Sequence, residues 1–344
     1  MLFELFCLDV RAGITEHWCS YLPLSAAIVI AALSLDQWLG ETKRFHPLVG
    51  FGWLANRVER LLRNRTSNAE QQHSLVKVNG GIAWALVVVP ITCIFAAVEY
   101  YMTSLSTTLW FVTNALILYV TLGGRSLVEH ADRVYTPLSQ GDLPAAKHAL
   151  SMVVSRDTAQ MNEEQITSST VETVLENGND AVIGPIFWFV LFGAPGAVLF
   201  RLANTLDAMW GYKNIKYQHF GYASAKIDDL LGWAPARITA VLYAVQGQFK
   251  NAIHCWLTQA RHCSSPNGGV VMTAGAGALG VKIGGPTYYD GILYEKRPMG
   301  VGENAQFDSI AKANLLVLRG SFGLAICWLV VSGAVYIAMD WRFV

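Results

Sequence analysis

Long apolar runs alternate with polar stretches along this chain, and the runs are of membrane length. Residues 22–39, 81–98, 105–122 and 315–338 are each almost wholly apolar. A helix needs about 20 such residues to cross a hydrocarbon core. The four runs are therefore expected to be transmembrane helices. Residues 181–203 are as apolar, but Gly193-Ala194-Pro195-Gly196 interrupts them at the middle. Each half is too short to span by itself. The expectation there is a broken or re-entrant helix, which is tolerated where backbone is buried in protein or lines a cavity; a plain kinked span is the alternative. The run 238–245 is too short to cross.

Between the third run and the last the period changes. Residues 126–135, 143–154 and 163–177 place apolar side chains three and four apart, as amphipathic helices do. Pro137, Gly141 and Gly178 punctuate them, and Asp142 follows Gln140-Gly141 as an N-cap. The predicted architecture is all-α: a polytopic integral membrane protein with about four transmembrane helices, a broken or re-entrant helix and a cytoplasmic helical region. It divides into 1–122 (three spans and a basic loop), 123–314 (cytoplasmic and re-entrant) and 315–344 (the last span).

Composition agrees. Of the 344 residues 53% are hydrophobic and 15% charged, against about 25% charged in a typical soluble domain. Formal net charge is zero, so no global field attracts nucleic acid. The N-terminus has neither a basic leader nor a long apolar core, so no cleavable signal is expected. The loop after the first run carries Lys43, Arg44, Arg57, Arg60, Arg63, Arg65 and Lys77. By the positive-inside tendency that loop is cytoplasmic and the N-terminus external. Lys213, Lys216, Lys226 and Arg237 then agree with a broken helix at 181–203 that does not cross, leaving 125–314 cytoplasmic or dipped into the inner leaflet.

The chemistry concentrates around VETVLENGND. Glu172, Glu176 and Asp180 stand at i, i+4 and i+8, one face of a helix, beside Asn177. Like charges at i,i+4 repel by about 0.2–0.5 kcal/mol per pair. Such a row calls for a cation, a basic ligand or open water; a solvated helix face is the plainer reading. NTLDAMWGY (204–212) follows the apolar run. His254-Cys255 and His262-Cys263 lack the tight ligand spacing of structural zinc sites. Gly275-Ala276-Gly277-Ala278-Leu279-Gly280 matches G-x-G-x-x-G, and residues 270–273 suit a short strand before it. Glycines and a proline follow where a dinucleotide fold needs a helix. The expectation is a glycine-rich loop that, with Lys282, approaches a phosphate or a flat macrocycle; close helix packing is the alternative.

The motifs come in a fixed order: Gly124-Arg125-Ser126-Leu127-x-x-His130, Ala149-Leu150-Ser151-Met152-Val153-Val154-x-Arg156-Asp157-Thr158, Val171-Glu172-x3-Glu176-Asn177-x2-Asp180, Asn204-Thr205-Leu206-Asp207-x-Met209-x-Gly211-Tyr212, Phe220-Gly221-x-Ala223-Ser224-Ala225-x-x-Asp228-Asp229, Trp233-x-Pro235-Ala236-Arg237, Ser265-Pro266-Asn267 and Gly277-Ala278-Leu279-Gly280 through Gly284-Gly285-Pro286. From about Leu35 to about Asn314 the series resembles the CobD/CbiB family, the membrane adenosylcobinamide-phosphate synthases of cobalamin biosynthesis. Two departures stand out. Val270, Val271 and Met272 replace a Trp-Pro-Glu common in the family, and Ala181 replaces a frequent Gly.

The resemblance implies a carbon–nitrogen ligase of a bacterial inner membrane. It would join a carboxylate of adenosylcobyric acid, the corrinoid substrate, to the amine of (R)-1-amino-2-propanol O-phosphate, with ATP and Mg²⁺. No Walker A motif is present, so a P-loop does not supply the ATP site. Glu172, Glu176, Asp180 and Asp228 are the candidate Mg²⁺ ligands. Glu172, Glu176 and Asp207 are candidate catalytic carboxylates and Asp157 a candidate base, with capping of a helix from Ala159 as its alternative. Arg156, Lys226, Arg237 and Lys282 are candidate phosphate binders. Asn177, Asn204 and Asn267 suit the amide-rich corrinoid rim. The implied partners are the lipid bilayer, other cobalamin-assembly enzymes and a second copy of the chain. A transporter, or a non-catalytic sensor related to AmpE, are the competing classes.

Overall fold

The computed structural model describes residues 12–41, 47–63, 72–154, 156–212, 214–289 and 292–340. Lys43, Arg44, Arg65, Lys213 and the first 11 residues fall outside them. Helix α1 (Ala12–Leu39) holds the first apolar run, and the amphipathic α2 (Pro47–Arg63) follows it. Helices α3 (Gln72–Leu105) and α4 (Thr107–Thr121) form an antiparallel pair. The turn between them is a single residue, Ser106, whose hydroxyl accepts the Thr108 N–H at 3.2 Å and caps α4. Helix α5 (Gly124–Ser139) runs through Pro137 before Gln140-Gly141 stops it. Asp142 caps α6 (Leu143–Ser151) by accepting the Ala145 N–H at 3.0 Å, as its position predicts. The last helix, α13 (Asp308–Asp340), lies along α1, where Trp328 donates to the Ser25 hydroxyl at 2.9 Å.

Helix α7 (Glu163–Gly178) opens on a capping box, Asn162 and Gln165 each satisfying the other's backbone N–H. Gly178 does not end it. The chain continues through one π turn, Asn179–Ile183, into α8 (Gly184–Trp210).

The break in 181–203 is a reversal. Phe192 (φ −137°, ψ 17°) and Gly193 (φ 66°, ψ −158°) leave helical geometry, the second in a region open essentially to glycine. Beyond them the chain folds back on itself. A β-carbon on Gly196 would strike the Trp188 carbonyl, and one on Gly184 would strike the Phe200 ring. In a straight helix Gly184 and Phe200 would stand about 24 Å apart. The two arms thus pack antiparallel and both ends of the segment emerge together. At the tip, Ala194 N–H donates to Asn114 Oδ1 at 3.3 Å, and Glu99 accepts from Trp110 and Ala194. Glu99 is about 9 Å short of the α3–α4 turn. The hairpin tip therefore packs against the α3–α4 pair.

Five stretches among the described residues are long and apolar enough to cross a membrane: Tyr21–Leu39, His73–Leu105, Thr107–Ser139, Glu163–Trp210 and Asp308–Met339. The fourth contains the hairpin.

The rest of the 123–314 region is α9 (Tyr222–Leu231), α10 (Trp233–Val245), α11 (Phe249–Gln259) and α12 (Gly268–Leu279). Two small sheets follow. Strand β1 (Val281–Ile283) pairs antiparallel with β4 (Met299–Gly300) and parallel with β5 (Glu303–Asn304); β2 (Thr287–Tyr289) and β3 (Ile292–Tyr294) form a hairpin.

The glycine-rich segment contradicts its expectation. Residues 270–273 are not a strand and 275–280 are not an open loop. They lie in α12, buried along its length, and only Gly280 leaves it, in left-handed geometry at φ 70°. The reason is packing: a β-carbon on Gly275 would meet the Leu175 side chain, and one on Gly277 the Asn251–Ala252 backbone. Lys282 is exposed on β1, outside this helix.

Candidate active site at the mouth of the hairpin

The acidic face of α7 meets a different compensating group at each turn. Glu172 is buried. Its Oε2 takes Arg156 Nη2 at 2.6 Å and its Oε1 takes the Ser168 hydroxyl at 3.2 Å. Arg156 also donates to Ser169 Oγ at 2.9 Å. The Gly284 N–H donates to Ser168 Oγ at 2.7 Å, so the turn after β1 closes over this end of the row.

Glu176 sits at the N-terminus of α12. A β-carbon on Gly268, the first residue of that helix, would strike Glu176 Oε1. Ser265 Oγ accepts the Gly268 N–H at 2.9 Å. The positive end of a helix favours an anion by about 0.3–1 kcal/mol, and glycine lets the carboxylate reach it. Ser-Pro-Asn-Gly is thus the local sequence that delivers a helix end to Glu176.

Asp180 belongs to the π turn. There the Gly184 N–H bonds to the Asn179 carbonyl, and the Asn179 N–H bonds to Glu176 O. Leu175 O accepts the Tyr243 hydroxyl at 3.0 Å beside this change of register. Thr239 donates to Asn179 Oδ1 at 3.0 Å, and Asn179 donates to Asp180 Oδ1 at 2.8 Å. From the opposite arm Asn204 hydrogen-bonds Asp180, and it donates to Asp228 Oδ1 at 3.4 Å. One amide therefore joins a carboxylate of α7–α8 to a carboxylate of α9. Asp207, one turn beyond Asn204, faces Asp180 and Asp229 and makes no side-chain hydrogen bond among the described residues.

This convergence raises the Asp228 carboxyl to about 8, first through burial and then through Asp180 and Asp207. Like charges packed in low dielectric favour the neutral acid. Such a group gains from any cation that allows it to ionise.

Several residues expected at the site make contacts of their own within the fold. Asp157 Oδ1 accepts the Ala159 N–H at 3.0 Å in a turn. The alternative, that it caps a helix starting near Ala159, is corrected: the helix starts at Glu163 and Asn162 caps it. Lys226 is exposed and pairs with Asp229 at 3.3 Å. Arg237 lies over the Trp233 ring and donates to Asn267 Oδ1 at 2.7 Å, while Asn267 Nδ2 donates to Asp229 O at 2.8 Å. These two tie α9, α10 and the start of α12 together. Asn177 is on a different face of α7 and lines a separate cavity.

Sequence reasoning missed Arg201, the only charged residue between Asp180 and Asp207. A lone ionisable residue in an apolar segment is a functional candidate by default, and that signal was available. It also missed the π turn, which no residue type announces.

Among the described residues no three His, Cys, Asp or Glu side chains converge closely enough to hold a metal ion by themselves, His254, Cys255, His262 and Cys263 included. Mg²⁺ usually takes one or two carboxylates together with substrate phosphate and water. Asp180 and Asp228, joined through Asn204, fit that donor set.

Comparison with known proteins gives a consistent answer. The family model described as CobD/Cbib protein matches residues 29–317. The cobalamin biosynthesis protein CobD of Stutzerimonas stutzeri is 45% identical over 308 residues, 90% of this chain and 98% of that protein. That of Chromobacterium violaceum is 44% identical, over 91% and 99%. That of Yersinia enterocolitica is 38% identical, over 80% and 86%. No solved structure matches.

Proposed function

The chain belongs to the CobD/CbiB family and takes part in cobalamin biosynthesis, and on that premise we propose that it is the membrane ligase that joins adenosylcobyric acid to aminopropanol phosphate at the mouth of the hairpin. The observation that carries this reading is the Asn204 amide held between Asp180 and Asp228, with Glu176 and Asp207 on either side.

Amide formation from a carboxylate at neutral pH requires activation, and ATP is the expected source. Asp180 and Asp228 are the proposed ligands of Mg²⁺, which would neutralise phosphate charge. Arg156 neutralises and positions Glu172, and so fixes the acidic face on which Glu176 and Asp180 stand. The attacking amine must lose a proton, and general-base catalysis of that step is worth about 10²–10⁴-fold. Asp207 is the proposed acceptor, because its carboxylate has no hydrogen bond among the described residues to give up. Asp157, the base that the family resemblance suggests, is held by the Ala159 N–H. The paired ends of the hairpin and the basic residues near them support a site on the cytoplasmic face of a bacterial inner membrane.

The test is direct. Purified protein in detergent is given adenosylcobyric acid, aminopropanol phosphate and Mg-ATP, and the corrinoid is followed by mass spectrometry. The reading requires an ATP-dependent mass gain equal to amide condensation. Folded protein that binds the corrinoid and forms no product would overturn it, and would favour a sensor or a transporter.

A further inference from the structure

Behind the acidic face, a second cavity of about 180 Å³ opens between α5, α7 and the returning arm of the hairpin. Its polar lining includes Glu41, Ser126, His130, Asn177 and Arg201. Arg201 is the unusual member. Its Nε is fully enclosed and has no hydrogen-bond partner among the described residues. A guanidinium has five donors and no acceptor, and leaving a buried donor unpaired costs about 1–3 kcal/mol. Its Nη2 lies beside Gly123, 3.5 Å from where a β-carbon on that residue would stand. Gly123 is the N-cap of α5 and has no side-chain cap. Asp36 Oδ2 takes the Arg125 N–H at 2.9 Å, so part of that helix end is already satisfied.

The neighbouring groups are ready to bind. His130 Nδ1 is held by Ser126 O at 2.8 Å, and its Nε2 makes no bond within the described chain. Asn177 Nδ2 donates one hydrogen to Thr173 O at 2.9 Å and keeps a second to donate. Three carboxylates, Glu41, Asp180 and Asp36, also act on Arg201. They disfavour a polyanion, and favour a ligand that brings a cation with its anion. The cavity is below the usual 300 Å³ or so of a drug-sized pocket, so the ligand is small.

We propose that Arg201, Ser126, His130 and Asn177 form a phosphomonoester-binding subsite, and that its ligand is a small amino-alkyl phosphate whose amine end extends toward Asp180 and the carboxylate cluster. The inference rests on the ligase reading, in which such a molecule is the amine substrate. It places that substrate's phosphate in a cavity separate from the Mg²⁺-binding carboxylates.

The experiment is calorimetric titration of the purified chain in detergent with aminopropanol phosphate, inorganic phosphate and ATP in turn, each without the corrinoid. Arg201→Gln is expected to weaken aminopropanol phosphate and inorganic phosphate at least about tenfold, in line with a lost hydrogen bond to a charged group, and to leave ATP unchanged. Should Arg201→Gln fail to fold, Ser126→Ala and Asn177→Ala carry the same expectation at a few-fold. Undiminished binding of aminopropanol phosphate in the folded variants overturns the subsite. So does loss of ATP binding alone, which would assign the cavity to the nucleotide, and so does a wild type that binds neither phosphate. Turnover separates the two claims. Wild-type ligation with an unaltered KM for aminopropanol phosphate in Arg201→Gln overturns the subsite and leaves the ligase. Arg201-dependent binding with no turnover overturns the ligase and leaves the subsite.

Discussion

Gly184 lies against the ring of Phe200 across the hairpin, with no room for a β-carbon between them. That contact holds the two arms together one turn below Asp180 and Asn204, and so sets the spacing of the carboxylates. Gly184→Val forces the arms apart. Overpacking of this kind typically costs about 1–3 kcal/mol. A lower melting temperature in detergent, with ligation falling further than stability accounts for, is the expected result; Gly50→Ala, at an exposed helical glycine with open space around it, serves as the comparison.

The Arg156–Glu172 pair is buried on both sides, at 14% and 4% side-chain exposure. Removing one partner of such a pair leaves an uncompensated charge, at about 3–5 kcal/mol. Arg156→Gln should destabilise by that order, and Arg156→Gln/Glu172→Gln should recover part of the loss. Denaturation of the three proteins in one detergent checks this; an additive double variant would mean the pair is not coupled.

Asp228 gives the pH dependence of the metal-free protein. Its folded carboxyl titrates near about 8, well above the ordinary value of 3.8. The native state therefore holds a proton that the unfolded chain releases near pH 4. The associated stability is full below about pH 4 and lost as pH rises through about 8. Melting temperatures should fall over that window in the wild type and fall less in Asp228→Asn. Mg²⁺ favours the ionised pair, so it should raise the wild-type melting temperature most at the alkaline end and do little for Asp228→Asn.

Orientation is testable by labelling. Ser139, at the end of α5, and Ser104, beside the α3–α4 turn, are both exposed. Cysteine at 139 should react with an impermeant maleimide only from the cytoplasmic face of inverted vesicles, and cysteine at 104 only from the other face. Labelling of both from one face would contradict the proposed topology.

Much of this architecture is legible in the sequence, because its signals are local. The four spans are continuous apolar runs, and Gly193 to Gly196 mark the reversal by the residues that permit it. Asp142 and Asn162 are caps readable from their own neighbours. The spacing of Glu172, Glu176 and Asp180 was enough to place them on one face. What failed is what depends on distant partners. The glycines at 275 and 277 permit a close approach in a loop or in a helix interface, and only the presence of Leu175 and Ala252 decides for the helix. Asn204 and Asp228 meet Asp180 because the hairpin returns, a relationship no spacing contains. Arg237 and Asn267, each expected to bind a ligand, also bind each other, a contact that their spacing does not contain.

The central claim is that the ligation site is the carboxylate cluster at the hairpin mouth. Its most direct test is the turnover of Asp180→Asn, an isosteric change that preserves the bond to Asn179, measured on protein whose melting temperature and corrinoid binding match the wild type. The account predicts a fall of at least about 100-fold, the usual scale for losing a charge that acts on the transition state. Wild-type turnover in that variant would contradict it.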